Sequence, residues 1–272
     1  MADIMPDDII TFTCDERYAP YAKIFINSLN ANSPGSNIIA RLVNCKPETI
    51  STVRSLGPNI EVIEDITKLS STRTMLSHGA ELLYDGLFDS LVKNKTSIRS
   101  PRLLCSEQMV YCSNIKFITI KDLLAAGAGT VIYMDVDTII RGSLVELISA
   151  TKNADLCMFK DVPYTEQHPG STRLAGMDVL YHGGLIGVNN NMTTRALFSE
   201  WVDLVTENMF DWDIDERLFS SVTEEIKIHN IDKSFKDEDL SEDSCVWSGA
   251  GQTKFTQDVY IEECKKYDSH FK

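Results

Sequence analysis

The spacing of apolar positions along the chain changes period repeatedly, and each change marks an element. Ile9-Ile10-Thr11-Phe12-Thr13 is a short β-branched run that predicts a first strand. Ile24, Phe25, Ser28 and Leu29 then recur at helical spacing until Ser33-Pro34-Gly35-Ser36 stops them. Asn37 to Asn44, carrying Ile38, Ile39, Leu42 and Val43, predicts a second strand. A polar helical segment leads to a third at Ile60-Glu61-Val62-Ile63. Helical patterns cover residues 79–93 and 105–126. Residues 130–135 form the most strand-like stretch, followed by another strand at Asp155 to Phe159.

Gly183 to Val188 reads as a further buried strand, bounded by glycine and by Asn189-Asn190-Asn191. Leu197, Phe198, Trp201, Leu204 and Val205 fall on one helical face. Glu225 to His229 alternates as a short strand. Asp232 to Ser244 is polar enough to predict a solvated loop, and Phe255 to Tyr267 closes the chain as a helix. Strands alternating with helices from the start predict an α/β fold whose mainly parallel sheet is covered by helices on both faces. No repeat, low-complexity block or linker interrupts the pattern, so a single domain is expected.

Composition narrows the function classes. The chain has 272 residues, enough for a large core, and 43% of them are apolar, which excludes a mostly disordered protein. Its 40 acidic and 26 basic residues give a net charge of −14. Binding along a nucleic-acid backbone needs a dense basic face, so no nucleic-acid partner is expected. A small phosphorylated ligand is still allowed, because carboxylates can hold a metal that in turn holds phosphate. Met1 to Asp8 has no apolar signal-peptide region, and no run approaches the roughly 20 apolar residues of a membrane span. Seven cysteines, an odd number without a CxxC pair, suit free thiols in a reducing compartment. A soluble, cytoplasmic protein is expected.

The segment richest in chemistry is Val131-Ile132-Tyr133-Met134-Asp135-Val136-Asp137-Thr138-Ile139-Ile140. A buried strand delivers two carboxylates, two residues apart, to its carboxyl end, where open α/β sheets bind ligands. If the strand stays regular, Asp135 and Asp137 point to one side and can share a divalent cation. The plainer reading is that they are turn residues ending a strand.

Tyr133-Met134-Asp135-Val136-Asp137-Thr138 resembles the aliphatic-Tyr-Leu-Asp-x-Asp motif of GT-A glycosyltransferases, particularly the glycogenin and bacterial lipopolysaccharide galactosyltransferase group. Thr11 to Tyr18, followed by Ile26-Asn27-Ser28-Leu29, is similar to that family's opening strand, loop and helix. The resemblance runs from about residue 9 to 258 and implies a Rossmann-like GT-A fold. Its nucleotide-binding part would cover about 8–141, its acceptor side about 142–258, and a last helix about 255–268.

It also implies a metal-dependent hexosyltransferase, with retention of configuration, that uses Mn²⁺ or Mg²⁺ and a UDP-sugar donor on a glycan or other hydroxyl acceptor. Thr11, Asp15 and Tyr18 would hold base and ribose. Lys116 stands near the family's donor-binding Arg, although a solvated lysine is the default reading. Tyr181-His182-Gly183-Gly184 resembles the family's Asn-Ser-Gly strand beside the sugar, with His182 in place of the Asn. Asp215 and Glu216 occupy the place of its Asp-Gln pair, which would face the donor sugar; equally, they read as first-turn residues favoured by the helix dipole. Trp247 to Lys254 looks like its His-x-x-Gly-x-x-Lys element, in which Gly251 and Lys254 would meet the diphosphate. The family's third metal ligand is that His, and Ser248 stands there instead: Ser248 or a water fills the position, His182 or another side chain substitutes, or metal binding is weakened. An inverting enzyme would need a base such as Asp213, Asp215 or Glu216. Two other readings stay open: a nucleotidyltransferase, which the acidic Thr13-Cys14-Asp15-Glu16 turn disfavours, and a non-catalytic sugar-nucleotide or carbohydrate-binding protein.

Overall fold

The computed structural model describes residues 7–70, 73–74, 105–161, 180–211, 214–237, 239–248 and 251–271. The helical pattern at 79–93, and Asp213, lie outside them. Eleven strands are present among the described residues. They are β1 (Asp8–Asp15), β2 (Asn37–Val43), β3 (Ile60–Asp65), β4 (Arg73–Thr74), β5 (Cys105–Ser106), β6 (Thr130–Met134), β7 (Ile139–Ile140), β8 (Leu156–Asp161), β9 (Leu180–Asn189), β10 (Ile228–Asn230) and β11 (Val246–Trp247). The helices are α1 (Ala19–Asn32), α2 (Pro47–Arg54), α3 (Glu107–Ala126), α4 (Val145–Lys152), α5 (Met192–Glu207), α6 (Ile214–Ser220) and α7 (Asp258–Tyr267).

Seven strands form one sheet in the order β10-β8-β9-β6-β1-β2-β3. Pairings β1/β2, β2/β3, β1/β6 and β8/β10 are parallel, and β9 runs antiparallel between β6 and β8. The sheet is therefore mainly parallel, as the alternation of elements predicts. Helices cover both faces. In β6 every residue is buried: Ile132 and Met134 join Phe12, Phe25 and Leu29 on one face, and Val131 and Tyr133 join Phe117, Phe198 and Trp201 on the other. A strand packed on both faces has no polar alternation, which is why this stretch reads as a continuous apolar run.

Local signals set the helix ends. The Ser106 hydroxyl accepts a hydrogen bond from the Met109 amide at the start of α3, and the helix stops at Gly127, whose φ of +100° suits glycine. Asn191 caps α5 through a reciprocal bond pair with Thr194.

Two expectations change. On α5, Val202 is buried beside Phe198, Trp201 and Val205, while Leu204 is 40% exposed. The predicted loop from Asp232 to Ser244 is partly built into the core. Phe235, Lys236, Asp237, Leu240 and Ser244 are buried, after a 3₁₀ turn at Lys233–Phe235. The cause is the Asp237 carboxylate, which accepts from the Asp239 and Ser241 amides and the Ser244 hydroxyl. Composition registers the charges in this stretch and misses their mutual satisfaction.

Candidate active site

A cleft of about 270 Å³ opens at the carboxyl ends of β1 and β6. Asp135, Asp137, Tyr18, Arg17, Lys116, His182, Gly183, Gly184 and Asp215 are among the residues lining it. This is where a parallel sheet places a ligand, since strand ends and loops there leave groups unpaired by the ladder.

The two carboxylates arrive by a turn. β6 ends at Met134, and the Thr138 amide donates to the Asp135 carbonyl, closing Asp135-Val136-Asp137 into a tight bend. Both side chains still face the cleft. The next strand, β7, pairs antiparallel with β11, Ile139 opposite Trp247. That pairing carries Ser248 to the neighbourhood of Asp137, more than a hundred residues away in sequence.

Asp135 is open to the cleft on one side and enclosed by protein on the others. That enclosure pushes its pKa up, Lys116 opposes the rise, and the neighbouring Asp137 adds to it. Burial likewise raises the Tyr18 hydroxyl to about 12, with Asp137 contributing. Tyr18 therefore remains a neutral phenol, and its ring lies edge-on to Phe255 at 6.3 Å.

The structure puts the other expected residues in definite places. Thr11 is not at the cleft: it is fully buried within the sheet, where its hydroxyl donates to the Ile39 carbonyl. Thr13, two residues along the same strand, is the one that lines the cleft. The Asp15 carboxylate is engaged by the Arg17 and Tyr18 amides, the Arg17 guanidinium and the Gln108 amide group. It shapes the loop that presents Arg17 and Tyr18. Lys116 is buried, not solvated, and its ammonium donates to Asp215 Oδ2 at 2.7 Å and to the Gly183 carbonyl at 3.2 Å. His182 packs its ring against Phe159 at 5.9 Å. Glu216 lies on α6 next to Asp215, and Gly251 opens a 3₁₀ turn spanning Gly251–Thr256.

The glycines of β9 make room for charge. A methyl group on Gly183 would come within 2.5 Å of Asp215 Oδ2 and 2.6 Å of Lys116 Nζ. One on Gly184 would meet Asp135 Oδ2 at 2.7 Å and Lys236 Cε at 3.5 Å. Two bare positions thus let two carboxylates and two lysines crowd against the strand.

The resemblance implies a divalent cation at Asp135 and Asp137, so the donor set can be tested for fit. Ser248, expected as third ligand, is buried and does not line the cleft. Its hydroxyl accepts from Lys236 Nζ at 3.0 Å and approaches the Asp237 carbonyl at 3.2 Å. Asp137 Oδ2 is paired with Lys254 Nζ at 2.9 Å, and Lys254 also donates to the Ser248 carbonyl. Lys116, Lys254 and Lys236 all bias Asp135 toward its charged form. Among the described residues no cluster of three or more His, Cys, Asp or Glu side chains is arranged to hold a metal. With Asp137 already paired to Lys254 and no third ligand among the described residues, this donor set does not fit a cation held by three protein ligands. Lys236 is the part of this arrangement that sequence reading missed. In sequence it is one of two lysines, with Lys233, in an acidic stretch, and nothing there singles it out.

No protein-family model matches the sequence, and no curated protein matches it either. Solved structures do match. An active-site mutant of LgtC superposes with a TM-score of 0.58 over 96% of this chain and 94% of its own, at 16% identity. The galactosyltransferase LgtC with donor and acceptor sugar analogues gives 0.56 over the same shares, at 19% identity. The glycosyltransferase GlyE of Streptococcus pneumoniae gives 0.56 over 96% of this chain and 60% of its own, at 13% identity. The chain has the GT-A fold that the resemblance predicted.

Proposed function

We propose that this chain transfers a sugar from a nucleoside diphosphate sugar, with UDP the expected nucleotide, to a hydroxyl of a glycan or smaller acceptor. The observation that supports this most directly is the cleft at the ends of β1 and β6, where Tyr18, Asp135, Asp137, His182 and Asp215 converge on one small-molecule-sized space. Tyr18 and Arg17 flank the nucleoside end. Asp215 and His182 face the sugar. In the step, the bond from the anomeric carbon to the diphosphate oxygen breaks and its electron pair leaves with the phosphate. The acceptor oxygen forms the new bond, and its proton passes to the departing diphosphate. Stabilising that leaving group supplies most of the rate enhancement.

Retention of configuration belongs to the same reading through the family resemblance, and the ion pair of Asp215 with Lys116 makes that carboxylate a weaker base for an inverting step.

The test is a panel of UDP-, GDP- and dTDP-sugars, scored by thermal shift and by release of nucleoside diphosphate. One donor is expected to raise the melting temperature and to be turned over slowly even with water as acceptor. Proton NMR of the product's anomeric position reports stereochemistry. Tight binding without turnover toward any acceptor would favour a non-catalytic sugar-nucleotide-binding protein. No binding by any donor would refute the proposal.

A further inference from the structure

Among the described residues the donor set at Asp135 and Asp137 has no third ligand, yet the ground around it is rich in positive charge. Lys254 is 4% exposed and paired with Asp137; Lys236 is 6% exposed and donates to Ser248. Neither lines the cleft: both lie directly behind residues that do. Gly184 is the thin point of the wall, since a methyl there would touch Asp135 Oδ2 on one side and Lys236 Cε on the other. Ser248 binds both lysines at once, through its hydroxyl to Lys236 and its carbonyl to Lys254. Of the two carboxylates, Asp137 already has an ammonium against it, and among the described residues no ligating atom stands in the third place.

We propose that Lys236 and Lys254 are resident counter-ions standing in for a divalent cation, so that this chain binds a nucleoside diphosphate without metal. A diphosphate laid against two bare carboxylates would be repelled. Two ammonium groups immediately behind those carboxylates cancel the repulsion, and because they are buried their field is little screened by salt. They act through Asp135 and Asp137 and are positioning residues. The inference rests on the donor reading above and replaces its expected Mn²⁺ or Mg²⁺.

The experiment is calorimetric titration of UDP, with GDP and dTDP in parallel, into the full chain in EDTA, in Mg²⁺ and in Mn²⁺. The free-Mn²⁺ electron paramagnetic resonance signal is followed alongside. The expected result is the same affinity in all three conditions to within about twofold, with no Mn²⁺ taken up when nucleotide is added. Lys236→Met is expected to weaken binding in EDTA by about tenfold or more, and Lys236→Arg to restore most of it. Urea unfolding of both variants separates loss of charge from loss of fold, and a Lys236→Met protein that unfolds is replaced by Lys236→Gln. Binding that tightens about tenfold or more with Mn²⁺, with one Mn²⁺ bound per chain, would overturn the inference and leave the donor reading standing. Unchanged affinity in folded Lys236→Met would also overturn it. No nucleotide binding under any condition would overturn the donor reading and this inference with it.

Discussion

The Lys116–Asp215 pair allows the most quantitative test of how the cleft is held together. The two side chains are 3% and 12% exposed, and Lys116 Nζ is 2.7 Å from Asp215 Oδ2. They join α3 to α6 across β9, with the Gly183 carbonyl as a second acceptor for the ammonium. The rings of Tyr133 and Phe117 lie 5.6 and 5.9 Å from Nζ, so little water remains to solvate it. Removing one member of such a pair strands the other charge, at a cost of about 3–5 kcal/mol. Lys116→Met should fall near the lower end, about 3 kcal/mol, because Asp215 reaches the cleft and its water. Asp215→Asn should cost about 2 kcal/mol, because Lys116 keeps the Gly183 carbonyl. The double variant has no stranded charge, so its loss should be smaller than the sum, with a coupling energy of about 2 kcal/mol. Urea unfolding of the four proteins gives this cycle directly. Salt should leave the coupling almost unchanged, since a buried pair is weakly screened. A coupling under about 0.5 kcal/mol would refute the idea that this ion pair ties α6 to the cleft.

Two further perturbations probe separate parts of the site. Gly184→Ala should displace the Asp135 carboxylate, while the new methyl only rests in van der Waals contact with the Lys236 stem. UDP affinity measured by calorimetry should then fall while the urea midpoint moves by only about 1–3 kcal/mol equivalent, and unchanged affinity would show that this wall is not part of the donor site. Asp237 is held below the ordinary carboxylate pKa: burial opposes this, but hydrogen bonds from Ser244, Ser241 and Asp239 outweigh it. A depressed folded-state pKa adds stability that is complete above the unfolded value of about 4 and is lost as pH falls through the folded value. Asp237→Asn should lower the urea midpoint at pH 7 and flatten its decline below about pH 4, and parallel curves for the two proteins would contradict this.

The sheet was legible because its determinants are local. A strand buried on both faces must be apolar throughout, and β6 is; a helix packed on one face must repeat at 3.6 residues, and α5 does. Errors came where tertiary contact overrides pattern. Leu204 and Val202 differ by two positions on α5, and only the packing against Phe198 and Trp201 decides which is buried. Asp135 and Asp137 were expected to share a side because strands alternate. They share the cleft instead because a turn closes between them. Thr11 had the right residue type on the right strand but sits too early along it, since only residues near the strand's carboxyl end, such as Thr13, reach the cleft.

Charge was the least legible property, for a physical reason. Net charge sums over the whole chain, whereas a field inside a cleft depends on which few groups the fold brings within several ångströms. The chain carries −14 overall, yet Asp135, Asp137 and Asp215 stand against Lys116, Lys236 and Lys254, three of each. No window of sequence contains this balance: the six residues come from α3, the β6–β7 turn, α6 and the segment around β11. Lys236 in particular sits among acidic neighbours that, read linearly, mark it as a solvated residue in a charged loop. The Asp237 hydrogen bonds and the β7–β11 pairing fold that loop inward, and the same residue becomes a buried cation behind Asp135. A carboxylate pair at the end of a strand is therefore not sufficient to infer a metal. The charge packed behind it, here Lys236 and Lys254, is what the nucleotide titration with and without Mn²⁺ weighs against it.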